Sequence, residues 1–225
     1  MRQTPAHDCY NGDLLALIPP DCRRIVEVGC STGALARAYR GSHPECLYIG
    51  VEIDPDYAEA ARKVCSEVHA GDVESMPDAQ FAEIFASDCV IFGDTLEHLR
   101  DPWRVLRRVR PLLPPGGKIL ACLPNAQHWS VQLRLACGLF RYEDAGLLDR
   151  THLRWFTRIT ALELFQGSGY RVIGGCPRIF AEPQREAFLP AIRALAMAAG
   201  ANGDQAVADA LPLQYVFVAI RDESV

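Results

Sequence analysis

Arg24-Ile25-Val26-Glu27-Val28-Gly29-Cys30-Ser31-Thr32-Gly33 is the stretch from which the fold can be read. A short apolar run stops at Gly29, and a helical pattern starts after Gly33, over Leu35 to Tyr39. Short continuous apolar runs are how strands buried on both faces read. Glycines at a strand-to-helix turn let the backbone approach a ligand and adopt torsions that other residues resist. The loop departs from the dinucleotide fingerprint, because Cys30, Ser31 and Thr32 separate its two glycines. By itself it also reads as a tight turn.

Working outward, the next apolar run ends in Gly50-Val51-Glu52-Ile53-Asp54-Pro55. An acid at the end of the second strand can accept from both hydroxyls of a ribose and disfavours a 2′-phosphate. Glu52 is assigned that role, because Asp54 before Pro55 is placed to cap the following helix. Gly71-Asp72-Val73 follows a third run. There Asp72 could accept from an adenine amine, with the Val73 N–H facing a ring nitrogen. Glycine loop, ribose acid and adenine acid thus arrive after successive strands, where an open α/β sheet gathers its ligand.

The same alternation extends along the chain. Strands are expected at Arg24 to Val28, Leu47 to Glu52, Glu67 to Ala70, Cys89 to Phe92, Lys118 to Leu123, Arg171 to Gly174 and Gln214 to Ile220. Helices are expected at Leu14 to Ile18, Leu35 to Tyr39, Asp56 to Cys65, Trp103 to Leu113 and Thr160 to Gln166, the last capped by Thr157. The fold class is therefore α/β, with helices on both faces of a mostly parallel sheet. A single domain over 1–225 is expected, its core about 22–123 and 158–222. A polar, aromatic segment at about 125–157 interrupts the core on the acceptor side, and an Ala-rich helical segment covers about 182–210.

Of the 225 residues, 49% are hydrophobic and 23% charged, which fits a globular chain and excludes wholesale disorder. The net charge of -5 argues against a broad nucleic-acid surface. Residues 1–12 are polar, without the apolar core of a signal peptide, and no apolar run reaches the length of a membrane span. Nine scattered cysteines without a CxxC pair fit reduced thiols, so a cytoplasmic location is expected.

At this point the chain resembles the class I S-adenosylmethionine-dependent methyltransferases. Glu27-Val28-Gly29-Cys30-Ser31-Thr32-Gly33 is similar to their first motif, Gly50 to Asp54 to the acidic second, and Gly71-Asp72-Val73 to the adenine contact. Asp94-Thr95-Leu96-Glu97-His98-Leu99 with Asp101-Pro102 is similar to the segment after their fourth strand, and Pro115-Gly116-Gly117 to the turn entering the fifth. Ser31 stands where many members have a second glycine. The resemblance implies a Rossmann-like sheet of seven strands with the last antiparallel. It also implies S-adenosyl-L-methionine as cofactor, held by Glu27, Gly29, Cys30, Ser31, Gly33, Glu52, Ile53, Asp72, Val73 and Asp94. Leu123 to Trp129 and Leu147 to Thr157 resemble a bacterial subgroup linked to cell-surface glycan or small-metabolite pathways.

Methyl transfer from a sulfonium needs alignment and a dry site, and no metal. A hydroxyl or ammonium acceptor also needs its proton removed, and histidine suits that step. His152 is the first choice, His128 the second, and His98 the third histidine beyond a strand end. Arg150 and Arg154 could hold an anionic acceptor, and Trp129 could line its pocket. No metal site is expected, because the histidines lack HxxxH or HxH spacing. The expected partner is a small-molecule or glycan-linked acceptor, with O- or N-methylation and oligomerisation both open. Competing readings are an NAD-dependent oxidoreductase, which leaves Gly71-Asp72 unexplained, and a non-catalytic cofactor-binding subunit. A nucleic-acid methyltransferase is a third, disfavoured by the lack of an Asn-Pro-Pro-Tyr motif.

Overall fold

The computed structural model describes Pro5 and residues 9–224; most of the polar leader lies outside the described residues. In chain order the elements are α1 (Gly12–Leu17), β1 (Arg24–Val28), α2 (Ala34–Arg40), β2 (Leu47–Glu52), α3 (Pro55–Ala61), β3 (Glu67–Ala70), α4 (Asp78–Phe85) and β4 (Cys89–Gly93). They continue with α5 (Pro102–Val109), β5 (Lys118–Pro124), α6 (Trp129–Ala136), α7 (Arg158–Gln166), β6 (Tyr170–Arg178), α8 (Leu189–Ala198), α9 (Gly203–Ala210) and β7 (Gln214–Arg221).

The strands form one seven-stranded sheet in the order β3-β2-β1-β4-β5-β7-β6. β7 runs antiparallel to both β5 and β6, and the pairs among β1 to β5 are parallel. The expected Rossmann-like sheet with an antiparallel last strand is therefore present. The central strands explain the order: Ile25, Val26, Ile49, Val90, Ile91, Phe92, Ile119 and Leu120 are fully buried, so both faces must be covered. One face packs against Phe81, Phe85, Val105, Leu106, Leu164 and Phe165. The other carries Leu14, Leu35, Tyr39 and Tyr48.

Several boundaries differ from the sequence expectation. The third helix ends at Ala61 and is followed by turns, and the Trp103 helix ends at Val109 and tightens into a 3-10 turn over Arg110–Leu112. α4 was not expected; its Phe81, Ile84 and Phe85 are buried. β6 continues to Arg178, with a register shift between Val172 and Gly174. The Thr157 cap is present as a reciprocal box with Thr160.

The two unusual segments join the same body. Asn125 donates through Nδ2 to the carbonyls of Asp209 and Pro212, both at 2.8 Å. The Asp209 carboxylate accepts from Arg158 Nε at 2.7 Å and from the Tyr215 hydroxyl at 3.2 Å. The Ala-rich segment is a helical pair, α8 and α9, whose Ile192 and Ala210 pack with Trp129 of α6. Among the described residues no helix is long and apolar enough to cross a membrane.

Candidate active site

The loops beyond β1, β2, β3 and β4 meet at the carboxyl edge of the sheet. Gly29 N–H donates to the Val51 carbonyl at 2.8 Å, and Gly71 N–H to the Glu52 carbonyl at 2.7 Å. Gly29 has φ +73°, and a Cβ there would stand 2.6 Å from Thr95 Oγ1, which itself donates to the Val28 carbonyl at 2.8 Å. A side chain at Gly29 is thus opposed both by its torsion and by the β4 loop. Gly33 has φ +81°, and its Cβ would strike Val64, so this glycine serves the close approach of two segments.

Ser31 has a left-handed torsion, with φ +48°. Its N–H donates to Glu52 Oε2 at 2.7 Å, and Asp54 N–H donates to Glu52 Oε1 at 2.9 Å. The Glu52 carboxylate thus joins two loops and keeps lone-pair capacity for a ligand. Burial raises the Glu52 pKa, opposed by these backbone bonds. Asp54 caps α3 by accepting from Asp56 and Tyr57 N–H, as its sequence context implies. Ile53 is half exposed beside this acid, which leaves an apolar side chain at the loop surface.

Glu27 lies deeper. Its carboxyl accepts from the Tyr48 hydroxyl at 2.9 Å, and burial pushes its pKa up to about 8. Cys30 is buried, its sulfur 2.5 Å from where a Gly50 Cβ would be, so it packs the loop from beneath. Asp72 caps the short turn Val73–Ser75, and its outer oxygen pairs with Arg100. Asp94 has φ +54° and accepts from Gln214 Nε2. Burial raises its pKa.

The residues expected on the acceptor side divide into two groups. Glu97, in the turn after β4, is 1% exposed, and neither carboxylate oxygen has a hydrogen-bond partner. Its backbone carbonyl accepts from Leu153 and Arg154 N–H at 2.9 and 3.0 Å, which fastens the 125–157 segment over it. His152 Nε2 lies 4.0 Å from Glu97 Oε1, and the His98 and His152 rings meet edge to face at 4.7 Å. Burial pushes the Glu97 pKa well up, lowers that of His98, and brings His152 down to about 4.

The second group surrounds His128. Its Nε2 donates to Glu182 Oε2 at 3.1 Å, and its Nδ1 faces the Ser130 hydroxyl at 2.8 Å, so both ring nitrogens are engaged. Trp129 is buried, donates to the same Glu182 oxygen at 2.9 Å, and stacks on Phe188 at 5.5 Å. Arg150 turns to Asp144 at 2.8 Å, and Arg154 bonds the Leu153 and Arg100 carbonyls. Sequence reasoning did not single out Thr95, Gln214 or Glu182. Their contacts cross 53 to 120 residues of chain, and no local spacing signals them.

With this geometry established, comparison with known proteins is decisive. A protein family described as "Methyltransferase domain" matches residues 7–174, most of the chain. The chain belongs to this methyltransferase family. Its cofactor is S-adenosylmethionine, and the NAD reading falls away. Among curated relatives, the malonyl-[acyl-carrier protein] O-methyltransferase of Hahella chejuensis is 30% identical over 100 residues, 43% of this chain and 34% of that protein. The ubiquinone biosynthesis O-methyltransferase of Aeromonas salmonicida is 32% identical over 113 residues, 46% of this chain and 44% of that protein. The matches thus span between about a third and under half of these relatives' length.

Solved structures share the methyltransferase fold. One is a Thermotoga maritima S-adenosylmethionine-dependent methyltransferase described as a possible histamine N-methyltransferase. It superposes with TM-score 0.60 at 17% identity over 93% of this chain and 86% of that one. Human N-acetylserotonin methyltransferase, solved with S-adenosylmethionine, superposes with TM-score 0.56 at 16% identity over 93% of this chain and 50% of that one. The residues here suit the cofactor: a left-handed loop against β2, a buried acid with lone pairs to spare, and an exposed Ile53 beside it.

Proposed function

We propose that the chain transfers a methyl group from S-adenosylmethionine to an oxygen of a small-molecule or sugar-linked acceptor. The observation that carries the reading is the joining of the Gly29–Ser31 loop to Glu52, with the Glu97, His98 and His152 group one strand further along the same edge. Gly29, Cys30, Ser31 and Gly33 shape the cradle. Glu52 holds the ribose hydroxyls, and Ile53, Asp72 and Val73 flank the adenine. Glu27 and Asp94 stand toward the methionine end. Asp72 reaches the adenine amine only by sharing or releasing Arg100, which lies on the solvent side.

When bound, the cofactor supplies a methyl carbon on a positively charged sulfur. The chain's work is then to align an acceptor oxygen with that carbon and keep water out. Held in this cradle, the cofactor would supply the methyl carbon and its sulfur would keep the bonding electron pair, while the acceptor would give up its proton at the His152 end of the site. His152 borders the place where the acceptor oxygen gives up its proton. His128 is a positioning residue that fixes α6 and Glu182, and Arg150 and Arg154 frame the entrance. Oxygen is favoured over nitrogen because both curated relatives above are O-methyltransferases by name.

The test is turnover with methyl-labelled cofactor across a panel of phenols, carboxylic acids and sugar-linked acceptors, with S-adenosylhomocysteine release as the readout. Labelled ether or ester product is expected. Tight cofactor binding without turnover on any acceptor would instead favour a non-catalytic subunit.

A further inference from the structure

Among the described residues Glu97 is the most anomalous polar group. A carboxylate that is almost fully buried, with two oxygens and no hydrogen bond, is either protonated or waiting for a partner. Its surroundings favour a partner. Glu97, His98 and His152 each offer a donor atom, and these atoms lie within 4.8 Å of one another.

The two imidazoles are already oriented. His152 Nδ1 faces the Leu147 carbonyl at 3.3 Å, and His98 Nδ1 faces the Thr151 carbonyl at 3.2 Å. A carbonyl can only accept, so each Nδ1 carries the proton and each Nε2 keeps its lone pair. Thr151 Oγ1, 3.0 Å from His98 Nδ1, donates to Asp149 Oδ1 at 2.7 Å, so it too accepts from the ring. Metal-bound histidines characteristically have this arrangement, with the far ring nitrogen donating to a carbonyl or carboxylate.

We propose that Glu97, His98 and His152 form a binding site for one divalent first-row transition ion such as Zn2+, Mn2+ or Fe2+. Two imidazoles and one carboxylate suit these ions better than Mg2+ or Ca2+, which take oxygen ligands. The three donors leave coordination positions free for an acceptor oxygen. The sequence expectation of no metal rested on spacing along the chain, whereas this cluster brings together residues 55 apart across the fold. The inference deepens the proposed acceptor site: the bound ion would be what eases loss of the acceptor's proton, which then passes to water.

The test is titration of the chelator-stripped protein with Co2+, followed by visible absorption, and with Zn2+, followed by calorimetry. One ion per chain is expected, with the d–d bands of nitrogen and oxygen ligation. Glu97→Gln and His98→Asn should each weaken binding at least on the order of 10-fold, the loss that even outer-sphere changes produce. Circular dichroism confirms that each variant is folded, and His98→Asn, at the less buried position, serves where Glu97→Gln does not fold. Absence of saturable binding overturns the site. So does unchanged affinity in both variants, or intense thiolate charge-transfer bands that trace the ion to cysteine. S-adenosylhomocysteine titration of the same samples separates the readings: cofactor binding without an ion sinks the metal site alone, and ion binding without cofactor sinks the transferase assignment alone.

Discussion

The two halves of the carboxyl edge are built differently. On the β1–β2–β3 side nearly every polar group is already matched: Glu52 accepts from Ser31 and Asp54, Glu27 from Tyr48, and Asp72 from Arg100. On the β4 side Glu97 has two unmatched oxygens, faced by two histidines that turn Nδ1, not Nε2, to backbone carbonyls. On the proposed reading the first half is a cradle whose shape is set by its own hydrogen bonds. The second leaves the Glu97 carboxyl unmatched, which the proposed ion would complete. Preorganisation suits a cofactor that is the same in every turnover, and open valence suits the group that meets the reacting atoms.

Four substitutions test this contrast. The largest effect is expected at His152. His152→Ala should lower kcat by roughly 100-fold or more, the usual weight of a proton-handling group, while S-adenosylhomocysteine affinity stays within a few-fold. Equal loss of both in a folded variant would make His152 structural and erase the contrast. Next comes Glu52→Ala, which should weaken cofactor affinity by about 100-fold through lost charge-assisted hydrogen bonds. Its Co2+ binding should be unchanged, because the two halves are separate; a joint loss would show them coupled.

Glu27 sharpens the picture through pH. Its folded pKa, about 8, lies above the ordinary carboxyl value of 4.5. The folded state therefore keeps a proton that the unfolded state has lost. This contribution to stability is fully present below about pH 4.5 and declines as pH rises to about 8, where it levels off. Glu27→Gln, which stays neutral and can still accept from Tyr48, should flatten that part of the pH–stability curve measured by urea unfolding. A slope identical to the parent's would place the titration elsewhere. The smallest effect is expected at Arg150, whose exposed pair with Asp144 should contribute less than about 1 kcal/mol, so Arg150→Ala should barely shift the urea midpoint. If KM for an anionic acceptor rises strongly, Arg150 belongs to the acceptor site despite that pair.

The fold was largely legible because its strands are buried on both faces. Arg24–Val28, Leu47–Glu52 and Glu67–Ala70 begin and end where the apolar runs do, since glycine, proline and acid mark the turns. α4 escaped because eight residues with three buried positions leave little periodicity to read. The proposed cofactor half could be assembled from the sequence for a related reason. Its residues sit at the ends of adjacent strands, so order along the chain becomes proximity in space. The acceptor half could not. His152 could be named as a histidine in a polar segment, but its neighbour Glu97 lies on a different loop and reads locally as part of a turn. Trp129 and His128 looked alike as acceptor residues, yet Glu182, more than 50 residues away, engages both and packs them under α8.

The most direct measurement is a crystal structure with S-adenosylhomocysteine bound. An adenosine is expected between the Gly29 loop, Glu52 and Asp72, with both ribose hydroxyls on the Glu52 carboxylate and the sulfur facing Glu97 and His152. A ligand that leaves Glu52 untouched, or whose sulfur points away from the β4 loop, would contradict it.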